Sequence, residues 1–218
     1  MKRLLTILFI TLSLNGLAQK RKYSTFYEQR ASLFEVLSIR SDDIVFIGNS
    51  ITNGGEWYEL FNDNRLKNRG ISGDVSEGVY DRLSSVTKGK PKKIFLMIGI
   101  NDIAKNIPVD TISNNIEKIV LKVKNESPET IIYLQSVLPV NPDFGMFSGH
   151  MKSNVIKDLN KQIEKLSWKY STIYIDLYTR FVMKGTDKLA PQYTNDGLHL
   201  LGEGYIHWVE IVKPYIED

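Results

Sequence analysis

Four short, nearly continuous apolar runs, at residues 44–47, 94–98, 130–134 and 172–175, constrain this chain more than any other feature. A strand with both faces buried meets water on neither side of its pleat, so it must be apolar at almost every position; that is the pattern of a parallel sheet's interior. Between the second and third runs, Ile112, Ile116, Ile119, Val120 and Val123 recur at helical spacing, and Val155, Ile156, Leu159, Ile163 and Leu166 do so between the third and fourth. A weaker strand is expected at residues 66–68 and a helix over 75–83. A last helix is expected over 204–216, with Tyr205, Trp208, Val209 and Val212 on one face. Strand alternating with helix predicts the α/β class: a three-layer α/β/α sandwich around a parallel, flavodoxin-like sheet of about five strands, joined by right-handed crossovers. Ligands bind such sheets beyond the carboxyl ends of the strands, so chemistry is sought in the residues just after each run.

The 218 residues suit one domain with a sizeable core. Residues 1–19 stand apart from it: Lys2 and Arg3 precede an apolar run at 4–14, followed by the small residues Gly16 and Ala18. This is a signal-peptide pattern, and the run is shorter than the roughly 20 residues of a membrane span. The expected organisation is a signal peptide at 1–18 and a single domain at 19–218, with export to the periplasm or beyond the cell. There is no cysteine, so lipid attachment at a cysteine and disulfide staples are both excluded, and stability must come from an ordinary core. The formal charge of +3 falls to 26 basic against 25 acidic residues once Lys2 and Arg3 are removed. No basic tract or Lys/aromatic stripe of a nucleic-acid surface is present. The expected partner is a neutral or mildly charged small molecule, with no nucleic acid and no stable membrane span after signal cleavage.

After the first run comes Gly48-Asn49-Ser50-Ile51-Thr52-Asn53-Gly54-Gly55. A sharp turn here presents Ser50 at the sheet edge, where a serine can act as nucleophile while its own N–H faces an oxyanion. Ser50 also suits a helix N-cap or turn position. In the second segment, Asn68-Arg69-Gly70-Ile71-Ser72-Gly73-Asp74, glycines let the backbone approach a ligand, or the segment simply caps the next helix. After Ile98, Gly99-Ile100-Asn101-Asp102 places a carboxamide donor at the same edge, although both polar residues also suit turns and caps. Near the end, Asn195-Asp196-Gly197-Leu198-His199 sets a carboxylate three residues before an imidazole. That spacing lets Asp196 orient one ring nitrogen while the other takes a proton from a hydroxyl. Each segment alone is ambiguous; together they supply nucleophile, base, orienting acid and oxyanion donors.

The blocks Gly48-Asn49-Ser50, Gly70-Ile71-Ser72-Gly73-Asp74, Gly99-Ile100-Asn101-Asp102 and Asp196-Gly197-Leu198-His199 occur in the order of the SGNH hydrolases, also called GDSL-type lipases and esterases, which the chain resembles from about Ile44 to His207. The resemblance implies that Ser50 is the nucleophile and that Asp196 and His199 complete the triad. It also implies an oxyanion hole made by the Ser50 and Gly73 N–H groups and the Asn101 side chain. One departure is Asn49, where the family's name motif has Asp. The Gly-x-Ser-x-Gly elbow of ordinary α/β-hydrolases is missing, since Thr52 stands where its last Gly would be.

The expected reaction is hydrolysis of small acyl esters through an acyl-enzyme, with no cofactor. Acetyl groups on carbohydrates are the expected substrate by fold and family analogy. A lysophospholipase or thioesterase would use the same triad with a different acyl pocket. A reading of another class is a non-catalytic sugar-, flavin- or phosphate-binding module, which has no use for Asn101 or the Asp196/His199 pair. No metal site is expected, because His150 and His207 have neither a Cys nor a helical His partner; His150 can lie near the site on a loop, although a surface position is the expectation. Trp57, Phe144, Met146, Phe147, Met183 and Tyr193 lie in segments that can border the cleft or pack in the core.

Overall fold

The computed structural model describes residues 22–217. Its five strands, β1 (Ile44–Gly48), β2 (Leu66–Gly70), β3 (Lys93–Met97), β4 (Ile131–Gln135) and β5 (Ile173–Ile175), form one parallel sheet in the order β2-β1-β3-β4-β5. The central β1 and β3 are buried at every position, which is why their sequences are apolar throughout apart from Lys93 at the start of β3. Gly48 pairs with Gly70 on one side and Met97 on the other. The carboxyl ends of β1, β2 and β3 are therefore level, and the three segments that follow them emerge side by side. The chain leaves β1 toward β2 and returns to place β3 on the other flank, so the switch point of the sheet lies beside Ser50.

The helices are α1 (Thr25–Val36), α2 (Ser50–Asn53), α3 (Trp57–Phe61), α4 (Ser76–Arg82), α5 (Ser84–Thr87), α6 (Ile100–Ala104), α7 (Val109–Glu126), α8 (Ser153–Tyr170), α9 (Tyr178–Phe181) and α10 (Gly202–Glu217). α7 packs between α4 and α8, while α10 packs on α3, giving a helical layer on each face of the sheet. The predicted stripes are the buried faces: Ile112, Ile116, Ile119, Val120 and Val123 on α7, and Ile156, Leu159, Ile163 and Leu166 on α8. Parallel neighbours in register point to the same face, so Phe46, Phe95 and Tyr133 stack across β1, β3 and β4 at 4.8 and 4.3 Å. Trp57 lies on Phe46 at 4.1 Å and meets the edge of Trp208 from α10 at 4.8 Å. This aromatic column fixes α3 and α10 to the sheet.

Several boundaries differ from the sequence expectation for physical reasons. β3 begins at Lys93, a charged residue that is nonetheless buried because its ammonium donates to the carbonyls of Tyr215 (2.7 Å) and Ile216 (3.4 Å) at the end of α10. β2 extends to Gly70 with a polar sequence, since it is an edge strand whose side chains serve the neighbouring loops. α4 starts at Ser76 with Val75 as its N-cap. α1 had no counterpart in the sequence reading. Ser24 caps it by accepting the Tyr27 N–H, and Tyr27 and Phe34 pack against Ile71 in the loop after β2. The signal segment expected at 1–18 lies outside the described residues. Among the described residues, no helix is long and apolar enough to cross a membrane.

Candidate active site

The Ser50 turn is built on a close approach. A Cβ on Gly48 would lie 2.2 Å from Thr52 Oγ1 and 2.4 Å from the Met97 carbonyl, so only glycine lets β1 end this tightly. Asn49 caps α2, its Oδ1 accepting the Ile51 N–H at 3.0 Å. The turn is held from three sides. Asn68 on β2 places Nδ2 2.8–3.0 Å from the carbonyls of Thr52, Asn53 and Gly55. Trp57 Nε1 donates to Thr52 O at 3.0 Å, and the Tyr205 hydroxyl donates to Ile51 O at 2.9 Å.

Into this turn reaches the loop before α10. His199 Nε2 lies 3.0 Å from Ser50 Oγ, and His199 Nδ1 lies 2.7 Å from Asp196 Oδ2. The other carboxylate oxygen accepts the N–H groups of Leu198 and His199, each at 2.8 Å. Burial pushes the Asp196 carboxyl up, but the hydrogen bonds from the His199 backbone and ring and from Leu198 outweigh it and hold the group below the usual carboxylate range. An ionised carboxylate only accepts, so Nδ1 carries the imidazole proton and Nε2 presents its lone pair to the serine hydroxyl.

Gly73 adopts φ +78°, a left-handed conformation, and open space surrounds the position of a Cβ. Among the described residues, neither its N–H nor that of Ser50 has a hydrogen-bond acceptor. Asn101, at the start of α6, donates from Nδ2 to the Asp74 carbonyl at 2.9 Å. Asp74 is in turn tied to the Ser50 strand: Arg82 Nε donates to Asp74 Oδ2 at 2.9 Å and Arg82 Nη2 to Gly48 O at 3.2 Å. Burial pushes the Asp74 carboxyl up to about 6 against the pull of Arg82. The neighbouring Asp102 is a capping residue, accepting the Ser76 N–H at 3.0 Å and the Ser76 hydroxyl at 2.5 Å at the start of α4.

One sequence expectation needs correction. His150 is not a surface residue: it is half-buried, with Nε2 3.0 Å from Asn101 Oδ1, because the 3₁₀ turn Ser148–His150 folds onto α6. Of the six residues expected in either the cleft or the core, Trp57 is 1% exposed and packs in the core. Phe147 does border the site, 37% exposed, with edge contacts to His199 (5.2 Å) and His150 (5.8 Å). Met146 is exposed and Phe144 half-buried in the same loop, and Met183 is half-buried in the segment after α9. Tyr193 stacks on His207 at 5.0 Å, and His207 bonds the Arg180 carbonyl at 2.9 Å. Asn68, Arg82 and the His150–Asn101 contact carry the site's geometry yet were not foreseen. Only the polar character of an edge strand hinted at Asn68.

Beside Gly73 a cavity of about 340 Å³ is lined by Tyr23, Tyr27, Ser72 and Lys105, among others. A larger one, about 570 Å³, lies at the opposite end of the sheet, where Asn64 and Arg65 precede β2, and has no part in this chemistry. Among the described residues, no group of three His, Asp or Glu side chains is placed to share a metal ion.

Comparison with known proteins bears on the fold and the family. The GDSL-like lipase/acylhydrolase family profile matches residues 46–206. The human platelet-activating factor acetylhydrolase IB subunit alpha2 is 28% identical over 189 residues, covering 82% of this chain and 76% of the relative. A GDSL-like lipase of Bacteroides thetaiotaomicron superposes with a TM-score of 0.75 at 28% identity, over 88% of this chain and 97% of that one. An acetylxylan esterase of Geobacillus stearothermophilus, at 19% identity and TM-score 0.66 over 83% and 96% of the two chains, shares the fold. The chain belongs to the GDSL-like lipase/acylhydrolase family.

Proposed function

We propose that this acylhydrolase is an exported serine esterase that removes small acyl groups, acetyl above all, from carbohydrate esters. The observation that carries the mechanism is the continuous relay from Ser50 Oγ through His199 to Asp196, at 3.0 and 2.7 Å. Nε2 of His199 takes the serine proton as Oγ attacks the ester carbonyl, and Asp196 holds the ring in the tautomer this requires. The developing oxyanion meets the N–H groups of Ser50 and Gly73, which have no acceptor among the described residues, and the Asn101 amide. His199 then protonates the departing alcohol. Water, deprotonated by the same nitrogen, attacks the acyl-Ser50 ester, and collapse of that second oxyanion releases the acid and regenerates the serine.

A short acyl group is supported by Phe147, whose ring stands edge-on against the His199 that faces Ser50, and by the acetylhydrolase activity in the name of the human relative. The near-neutral charge and the signal-like residues 1–18 support an uncharged ester met outside the cytoplasm. The test is turnover of nitrophenyl acetate, butyrate and octanoate, then of acetylated sugars, by a chain lacking residues 1–18, beside Ser50→Ala. Activity highest on acetate and absent from the variant is the expected result. A rise toward octanoate transfers the assignment to lipid esters, and no turnover by folded protein leaves a binding module.

A further inference from the structure

Asn101 is fixed at both ends of its amide, and the second anchor is a histidine outside the triad. The Asp74 carbonyl can only accept, so the atom facing it at 2.9 Å is Nδ2. The oxygen of the amide then faces His150 Nε2 at 3.0 Å, and that nitrogen must carry a proton. Its other ring nitrogen, Nδ1, is buried with no hydrogen-bond partner among the described residues, as expected of an imidazole whose single proton sits on Nε2. Burial pushes the His150 imidazole below its ordinary pKa against the opposing pull of the Phe147 backbone, which favours the neutral ring.

We infer that His150 is a positioning residue for the oxyanion hole, locking the Asn101 amide so that the second N–H of Nδ2 is held toward the reacting carbonyl. This rests on the esterase reading above. The terminal torsion of an asparagine is broad and roughly two-fold, so one hydrogen bond leaves the amide free to rock, whereas anchors on both Nδ2 and Oδ1 remove that freedom. A rocking amide must be reoriented as charge develops, and a preorganised one is not. The anchor is itself anchored: Lys152 Nζ donates to Ile103 O at 2.9 Å and to Asn106 Oδ1 at 2.6 Å, clamping the His150 turn to the helix that carries Asn101.

The test is a mutant cycle on nitrophenyl acetate with a structural readout beside it. Loss of an oxyanion donor lowers the rate by roughly 100- to 1000-fold. His150→Ala, which loosens the donor without deleting it, is expected to lower kcat by about 10- to 100-fold with KM nearly unchanged. His150→Gln, which returns an N–H near the place of Nε2, recovers most of that loss. In an Asn101→Ala background, His150→Ala has no further effect. Nitrogen NMR of the wild-type ring shows the Nε2–H tautomer, whether or not the ester assay succeeds. Full activity of His150→Ala, a loss that persists without Asn101, or an Nδ1–H tautomer overturns the inference while leaving the esterase reading intact. Inactivity of the wild type on every ester, with the Nε2–H tautomer present, overturns the esterase reading and with it the catalytic role given to His150.

Discussion

Arg82 ties together the two loops that shape the site, and its removal has a cost that can be worked out. Its guanidinium bridges Asp74 and the Gly48 carbonyl, and the Arg82 and Asp74 side chains are 3% and 0% exposed. Arg82→Met keeps much of the aliphatic stem but leaves the Asp74 carboxylate in the interior with the Val75 N–H as its remaining donor. Breaking a buried pair from one side costs about 3–5 kcal/mol, which for a domain of this size lowers Tm by roughly 6–20 °C. The loss also has a pH signature. Burial already raises Asp74 to about 6 while Arg82 pulls it down, so without Arg82 the pKa climbs further. A carboxyl whose folded pKa lies above its unfolded value gives stability that is present at low pH and lost as pH rises through the folded pKa. Wild type has lost most of it by about pH 6 to 7, whereas the variant goes on losing it, so the gap between them widens toward pH 8. Urea unfolding of wild type, Arg82→Met and Arg82→Met/Asp74→Asn at pH 6 and 8 measures this, the double variant regaining part of the loss. A gap under about 1 kcal/mol at pH 8, or one that does not grow with pH, refutes the reasoning.

Three further outcomes are expected. Asp196→Asn lowers kcat on nitrophenyl acetate by on the order of 10⁴-fold while the protein stays folded; because the Asp196 pKa is held down in the folded state, the variant's stability deficit is full above about pH 3.9 and closes as pH falls below that value through the lower folded pKa, as acid unfolding curves would show. Gly73→Ala places a Cβ in open space but on a left-handed backbone, so a modest loss of about 1–2 kcal/mol in denaturant titration accompanies a drop in kcat. Trp57→Ala empties the aromatic column and removes one of the donors to the Thr52 carbonyl, which keeps Asn68, lowering unfolding free energy by about 3–5 kcal/mol in the same titration.

What was readable in advance follows burial. β1 and β3 lie in the middle of the sheet, where both faces demand apolar residues, and so they stand out as runs. β2 was faint because Lys67, Asn68 and Arg69 occupy an edge, and Asn68 is there to hold the Ser50 turn. α1 went unread although Tyr27, Ala31 and Phe34 have helical spacing, since the stripe is short and only Tyr27 and Phe34 are buried on the helix. The Ser50, His199 and Asp196 contact was legible because motifs at successive strand ends converge in this topology. The Asn101–His150 pairing was not, since 49 residues separate the two and only the folding of an irregular loop joins them. Arg82 was hidden for a similar reason: one arginine on a helix looks like any surface charge until its burial is known.

The most direct test of the account is covalent capture of the nucleophile by a nitrophenyl phosphonate ester, followed by peptide mapping. The account predicts one adduct per chain on the peptide containing Ser50, no adduct in Ser50→Ala, and greatly slowed labelling in His199→Ala. Labelling elsewhere, or undiminished labelling of Ser50→Ala, contradicts it.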